Sequence, residues 1–216
     1  MKIMITGGSG RLGRELKNVF PEAIIPTHKK LDITSYTKVY DFINTVQPEK
    51  IIHAAALTSV RECEKNKDKA WVINVEGTKN IVKAINAINP KIKLIYISTA
   101  CVFSGEEGAY NELSLPNPKN YYAVTKLIGE LTIRELENWL ILRTNFVPRE
   151  PWPYSGAFID RFGTYLFADD LANAIKDVIK NDLNGLIHIT GDTKMSMFEL
   201  AKKVSPDIKP MTLKEY

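Results

Sequence analysis

Tyr122 and Lys126, in the run Tyr122-Ala123-Val124-Thr125-Lys126, have the spacing that sets two side chains on one face of a helix. Free tyrosine, with a pKa of about 10, is a poor acid–base catalyst near neutrality. A neighbouring ammonium stabilises the phenolate, and lowering the pKa by ~3 units needs ~4 kcal/mol of differential interaction. On its own such a pair is an ordinary surface feature of a helix. Its chemistry comes from what precedes it: Thr99 closes the run Ile97-Ser98-Thr99, and the chain opens with Thr6-Gly7-Gly8-Ser9-Gly10-Arg11-Leu12-Gly13. A glycine-rich loop, a hydroxyl residue after a strand and Tyr-x-x-x-Lys, in that order, point to hydride transfer between a carbonyl and an alcohol. Lys126 and a bound nicotinamide cation would together stabilise the phenolate. Thr99 would hydrogen-bond the substrate oxygen beside it.

Gly7, Gly10 and Gly13 fit a G-x-x-G-x-x-G loop between a strand and a helix, with Arg11 and Leu12 inside it. Glycine allows positive φ and close backbone approach, and the helix start offers free N–H groups to a pyrophosphate. A tight strand-to-helix turn without a ligand would use the same residues. An acidic residue that binds an adenosine ribose would fall at the end of the second strand. That place reads Thr27-His28-Lys29-Lys30. His28 and Lys29, with Arg11, would welcome a 2′-phosphate, so NADP(H) is preferred and NAD(H) is the alternative.

The elements that must hold these groups alternate. Strands are expected at 2–6, 22–27, 50–55, 91–98, 139–143 and 186–190. Helices are expected from the glycine loop to about 20, then at 35–46, 69–88, 121–137 and 169–179, with a short one opening at Ser196. Such alternation implies an α/β fold, a Rossmann-like doubly wound parallel sheet covered on both faces. Residues 1–144 would form the dinucleotide-binding domain with the catalytic residues. Residues 145–216 would be a short substrate-binding segment with a closing strand and helices, not an independent domain. Within it the proline- and aromatic-rich stretch 145–168 reads as loop or lid, and 206–216 as loosely held.

Composition excludes several classes. A net charge of +4 on 216 residues, without a Lys/Arg block, gives no nucleic-acid track. No apolar run approaches the ~20 residues of a membrane span. Cys63 and Cys101 lack metal-ligand spacing and suit a reducing, cytoplasmic setting, and no metal site is expected. A chain start that runs straight into a strand does not read as a signal peptide. His53 and His188, with no partner motif, read as structural.

Together with Leu31-Asp32-Ile33-Thr34, Ala54-Ala55-Ala56, Asn74-Val75-Glu76-Gly77-Thr78 and Ile141-Leu142-Arg143-Thr144, these motifs resemble the extended short-chain dehydrogenase/reductase family. Within it the chain is most similar to the dTDP-4-dehydrorhamnose reductase-like branch of nucleotide-sugar enzymes. The resemblance implies that Asp32 and Ile33 contact the adenine and that Ala54, Ala55, Ala56 and Leu57 line the cofactor. It implies that Asn74 supports the site, and that Thr144 and Asn145 complete the cofactor-binding set. It gives Thr99 the substrate hydrogen bond, Tyr122 the proton for a C4 oxygen, and Lys126 the ribose.

Two departures matter. Dehydratases of the family carry Asp-Glu after the catalytic hydroxyl residue and the reductase branch carries Asp-Tyr, whereas this chain has Ala100-Cys101. Dehydration is thereby disfavoured. Cys101 matches the cysteine of GDP-L-fucose synthase-like epimerases, although the place of their partner histidine holds Glu150. The segment between Thr144 and Asp169 is also short for the family, which implies a smaller substrate, a site completed by a homodimer, or degeneration of the site. Thr58, Cys101, Asn120, Phe146, Arg149 and Arg161 are the candidate substrate contacts, the two arginines for a diphosphate. Asn120 would equally cap the catalytic helix. The reading is thus a 4-keto nucleotide-sugar reductase, with an epimerase using Cys101 and a non-catalytic NADP-binding regulatory subunit as alternatives.

Overall fold

The first strand, β1 (Ile3–Thr6), is apolar on both faces and buried throughout, as a strand covered on both sides must be. The computed structural model describes residues 1–215. In it β1, β2 (Lys50–His53), β3 (Lys93–Thr99), β4 (Trp139–Thr144) and β5 (Gly185–Ile189) form one parallel sheet in the order β1-β2-β3-β4-β5. Period-2 alternation then splits the core. On one face Ile3, Ile5, Ile52, Ile95 and Leu140 pack against Leu12 and Leu16 of helix α1 (Arg11–Val19), and against residues of a helix near the chain's end that include Leu171 and Ile175. On the other, Met4, Ile51, Leu94 and Ile141 meet Val39 and Ile43 of α2 (Tyr36–Val46) and apolar residues of two later helices. The doubly wound Rossmann-like sheet read from the sequence is the one observed.

The connections depart from expectation in four places. The second expected strand, 22–27, shrinks to a single bridge in which Ile24 exchanges 2.9 Å bonds with Ile3 and Ile5. Pro21 and Pro26 bracket it, and proline cannot donate to a ladder. An unforeseen helix, α3 (Val60–Lys65), follows β2, capped by Ser59. The helix expected at 69–88 is three pieces: α4 (Lys67–Trp71), a π-helical turn Val72–Glu76, and α5 (Gly77–Ile88). The helix α6 (Tyr121–Ile133) stops four residues short of 137.

The C-terminal part is more ordered than the sequence implied. Phe146–Val147 pairs with Leu166–Phe167, and Phe162–Gly163 with Met195–Ser196. The expected loose tail instead adds Lys209–Met211 as a parallel strand beside Gly156–Phe158, and Leu213 N–H donates to the Asp160 carboxylate at 3.0 Å. Helix α7 (Ala168–Lys180) packs on α1, and α8 (Met197–Lys202) carries the capping box of Ser196 and Glu199. Among the described residues, no helix is long and apolar enough to cross a membrane.

Candidate active site

The ends of β1 to β4 converge on one edge of the sheet, where open parallel sheets place their ligands. Gly7 has φ +75°, and a Cβ on it would lie 2.6 Å from Ala55 N. A Cβ on Gly13 would run into the Gly7 carbonyl. The loop therefore lies flat against the 54–57 segment. Gly10 caps α1 without any side-chain bond, so the first N–H groups of the helix stay available to an anion. This glycine cradle and open helix start fit a dinucleotide. Leu12 is buried, while Arg11, His28 and Lys29 are exposed. Asp32 folds back on its own turn, accepting from Thr34 N–H at 3.0 Å and the Thr34 hydroxyl at 2.7 Å, bonds that hold its carboxyl below the usual range. Ile33 is buried, against Gly77.

Asn74 ties the cofactor side to the catalytic side. It lies in the π-helical turn, a distortion that often marks functional sites. Its Oδ1 accepts from Leu57 N–H at 2.7 Å, and its Nδ2 donates to the Leu57 carbonyl at 3.0 Å and to Thr125 Oγ1 at 2.9 Å. Thr125 in turn donates to the Tyr122 carbonyl at 2.7 Å. A chain of hydrogen bonds therefore links Leu57, at the end of the 54–57 segment, to the helix that carries Tyr122.

Asn120 caps that helix by accepting from Ala123 N–H at 2.9 Å. Thr99, at the end of β3, accepts from Cys101 N–H at 3.1 Å. Burial pushes the Tyr122 phenol above its ordinary range and nearby Cys101 adds to this, while a hydrogen bond from Thr99 works the other way. The lowering expected from the sequence is the joint effect of Lys126 and a bound nicotinamide cation. The Lys126 ammonium lies 3.9 Å above the ring of Tyr96. Burial draws Lys126 down to about 7, against Glu130.

Below the site lies a charged layer that local spacing does not announce. Glu130 receives Arg143 Nε at 3.0 Å and Nη2 at 2.7 Å, together with the Ser98 hydroxyl. Neutral His53 is held between threonines: Thr78 Oγ1 donates to the Asn74 carbonyl, so it accepts from His53 Nε2, and His53 Nδ1 accepts from Thr6 Oγ1. Burial lowers His53 to about 3.

Of the candidate substrate contacts, Cys101 and Phe146 are half-buried and Thr58 and Arg161 exposed. Arg149 is engaged elsewhere, donating to Asp169 at 2.7 Å and Asp170 at 2.9 Å over the Phe167 ring. Glu150 pairs with Arg14 at 3.1 Å. Thr144 is buried and Asn145 half-buried at the end of β4. Tyr165 escaped the sequence reading: it is nearly buried and in electrostatic reach of Cys101 and Arg161, with Asn145 as a hydrogen-bond partner. Its only signal was an aromatic in a proline-rich stretch. Cys63 also lies near Tyr122, donating to the Leu57 carbonyl at 3.4 Å. Among the described residues no His, Cys, Asp or Glu group is placed to hold a metal.

A glycine cradle on a doubly wound sheet, with Thr99 ending β3 and Tyr122 and Lys126 on α6, is the arrangement found in an extended short-chain dehydrogenase/reductase, the family to which the chain belongs. More narrowly, the chain belongs to the family described as the RmlD substrate binding domain, whose model matches residues 1–151. It is 28% identical to the dTDP-4-dehydrorhamnose reductase of Aggregatibacter actinomycetemcomitans, over 93% of this chain and 76% of that one. It is likewise 28% identical to Methionine adenosyltransferase 2 subunit beta of Bos taurus, over 93% and 70%. A crystal structure of dTDP-4-dehydrorhamnose reductase from Bacillus anthracis, in complex with NADP, superposes with a TM-score of 0.90 at 30% identity, covering 100% of this chain and 86% of that one.

Proposed function

We propose that the protein is an NADP(H)-dependent reductase of a 4-keto nucleotide sugar, of the dTDP-4-dehydrorhamnose kind. The observation that carries this reading is the Thr99–Tyr122 pair, a half-buried phenol held protonated beside a hydroxyl at the end of β3. In the reducing direction the residue must begin protonated, so a raised phenol suits a donor. The reduced nicotinamide, when bound, supplies the hydride. Thr99 orients the ketone oxygen, and Tyr122 gives its proton to that oxygen as it gains charge. Lys126 then stabilises the phenolate left behind. Arg11, His28 and Lys29 would hold the 2′-phosphate.

Mixing the protein with NADPH and dTDP-4-dehydrorhamnose, and following loss of NADPH absorbance, tests the reading. Net oxidation supports it. Cys101 beside Tyr122 favours an epimerase as the second reading. That reading requires sugar isomers without net oxidation, and solvent deuterium at C3 or C5 that disappears in Cys101→Ser. Tight NADPH binding with neither outcome would mark a regulatory subunit.

A further inference from the structure

Lys126 poses an electrostatic problem: it is 3% exposed, and a buried ammonium needs a compensating partner. The nearest carboxylate, Glu130 one turn along α6, is committed to Arg143 and Ser98. Among the described residues the Lys126 ammonium makes no hydrogen bond or ion pair. What it does meet is the face of Tyr96, at 3.9 Å from the ring centroid.

We infer that Tyr96 is a positioning residue for the reaction, its buried ring serving as the counter-charge on which the Lys126 ammonium rests. A ring carries negative potential on its face, and the attraction grows where water is excluded. Tyr96 is fully buried on β3, and its seat is built. A Cβ at position 129 would overlap the Tyr96 hydroxyl, so Gly129 lets α6 close onto the ring. The hydroxyl reaches the Lys126 carbonyl at 3.4 Å. Beside the ring, His53 packs at 5.7 Å and 45°, and its two threonine bonds fix it as the neutral tautomer. No second cation therefore forms beside the ring.

The titratable groups around Lys126 are few. Glu130 and Tyr122 share its helix; Glu130 is neutralised by Arg143 of β4, and Tyr122 stays a neutral phenol. His53 on β2 is neutral and Tyr96 on β3 is held protonated. On α3, Glu64 accepts from Tyr121 N–H at the start of α6, and Cys63 has its thiol raised by burial. The ring is thus the attractive group left to Lys126 beyond the shared carboxylate.

The inference rests on Lys126 as the lysine that serves Tyr122, but its test needs neither substrate nor cofactor. Lysine labelled with carbon-13 at Cε reports each ammonium by NMR, and Lys126→Met assigns the signal. Tyr96→Phe keeps the ring and should titrate Lys126 as the unaltered protein does. Tyr96→Leu should lower the Lys126 midpoint by about one pH unit. Should the leucine variant not fold, pentafluorophenylalanine at 96 keeps the shape and reverses the charge of the face, and should give at least as large a drop. An unchanged midpoint in the leucine or fluorinated protein overturns the inference. So does an equal drop in Tyr96→Phe, which would assign the effect to the hydroxyl. A chain that oxidises no NADPH, yet shows the ring-dependent midpoint, would count against the reductase reading alone.

Discussion

At the scale of single residues, the proposed catalytic set is separated from what supports it by distance along the chain. Tyr122 and Lys126 announce themselves because four residues is one helical turn, and Thr99 because it ends a strand. Glu130, Arg143 and Ser98 give no such signal, since their ion pair and hydrogen bond form only when β3, β4 and α6 meet. The same is true of Tyr96 beneath Lys126 and of His53 between Thr6 and Thr78. Each partnership joins elements distant in sequence. Glu130 and Arg143 have side chains 1% and 4% exposed, so removing one strands a buried charge. Glu130→Ala should cost about 3–5 kcal/mol of folding stability, measured by urea unfolding. A cost below about 1 kcal/mol, the value of a surface pair, would show that the charge is not stranded.

At the scale of elements, periodicity located the sheet and its helices but not their irregularities. An apolar pattern at 69–88 reads as one helix, because one wide turn barely shifts the buried stripe. That turn nevertheless carries Asn74 to Leu57 and Thr125. Proline explains the lost strand at 22–27, and the short strands after Thr144 were hidden because each is only two or three residues long. Asn74→Ala would remove three hydrogen bonds, taking the partner from Leu57 N–H and leaving the Leu57 carbonyl to the weak Cys63 thiol donor, a loss of about 1–3 kcal/mol. If that loosens the 54–57 segment, NADPH binding measured by calorimetry should weaken by about tenfold. Unchanged binding would mean that Leu57 is held without Asn74.

For the whole molecule, two buried bases make stability depend on pH. His53 titrates at 6.5 when exposed and at about 3 when folded, so between these values the unfolded chain holds a proton that the native chain lacks. Stability then rises with pH through that window, by up to about 1.4 kcal/mol per unit. Lys126, at 10.5 against about 7, gives the same sign between pH 7 and 10.5. Urea midpoints should therefore fall as pH drops from 6.5 towards 3, and His53→Gln should flatten that slope. An equally steep slope in the variant would assign the acid sensitivity to other groups.

The proposed reduction depends most directly on Tyr122 as the proton donor. The decisive measurement is NADPH oxidation with dTDP-4-dehydrorhamnose by the Tyr122→Phe protein, with NADPH affinity measured alongside. The predicted result is turnover reduced by at least about 100-fold with cofactor binding retained. Full turnover in the phenylalanine variant would contradict it.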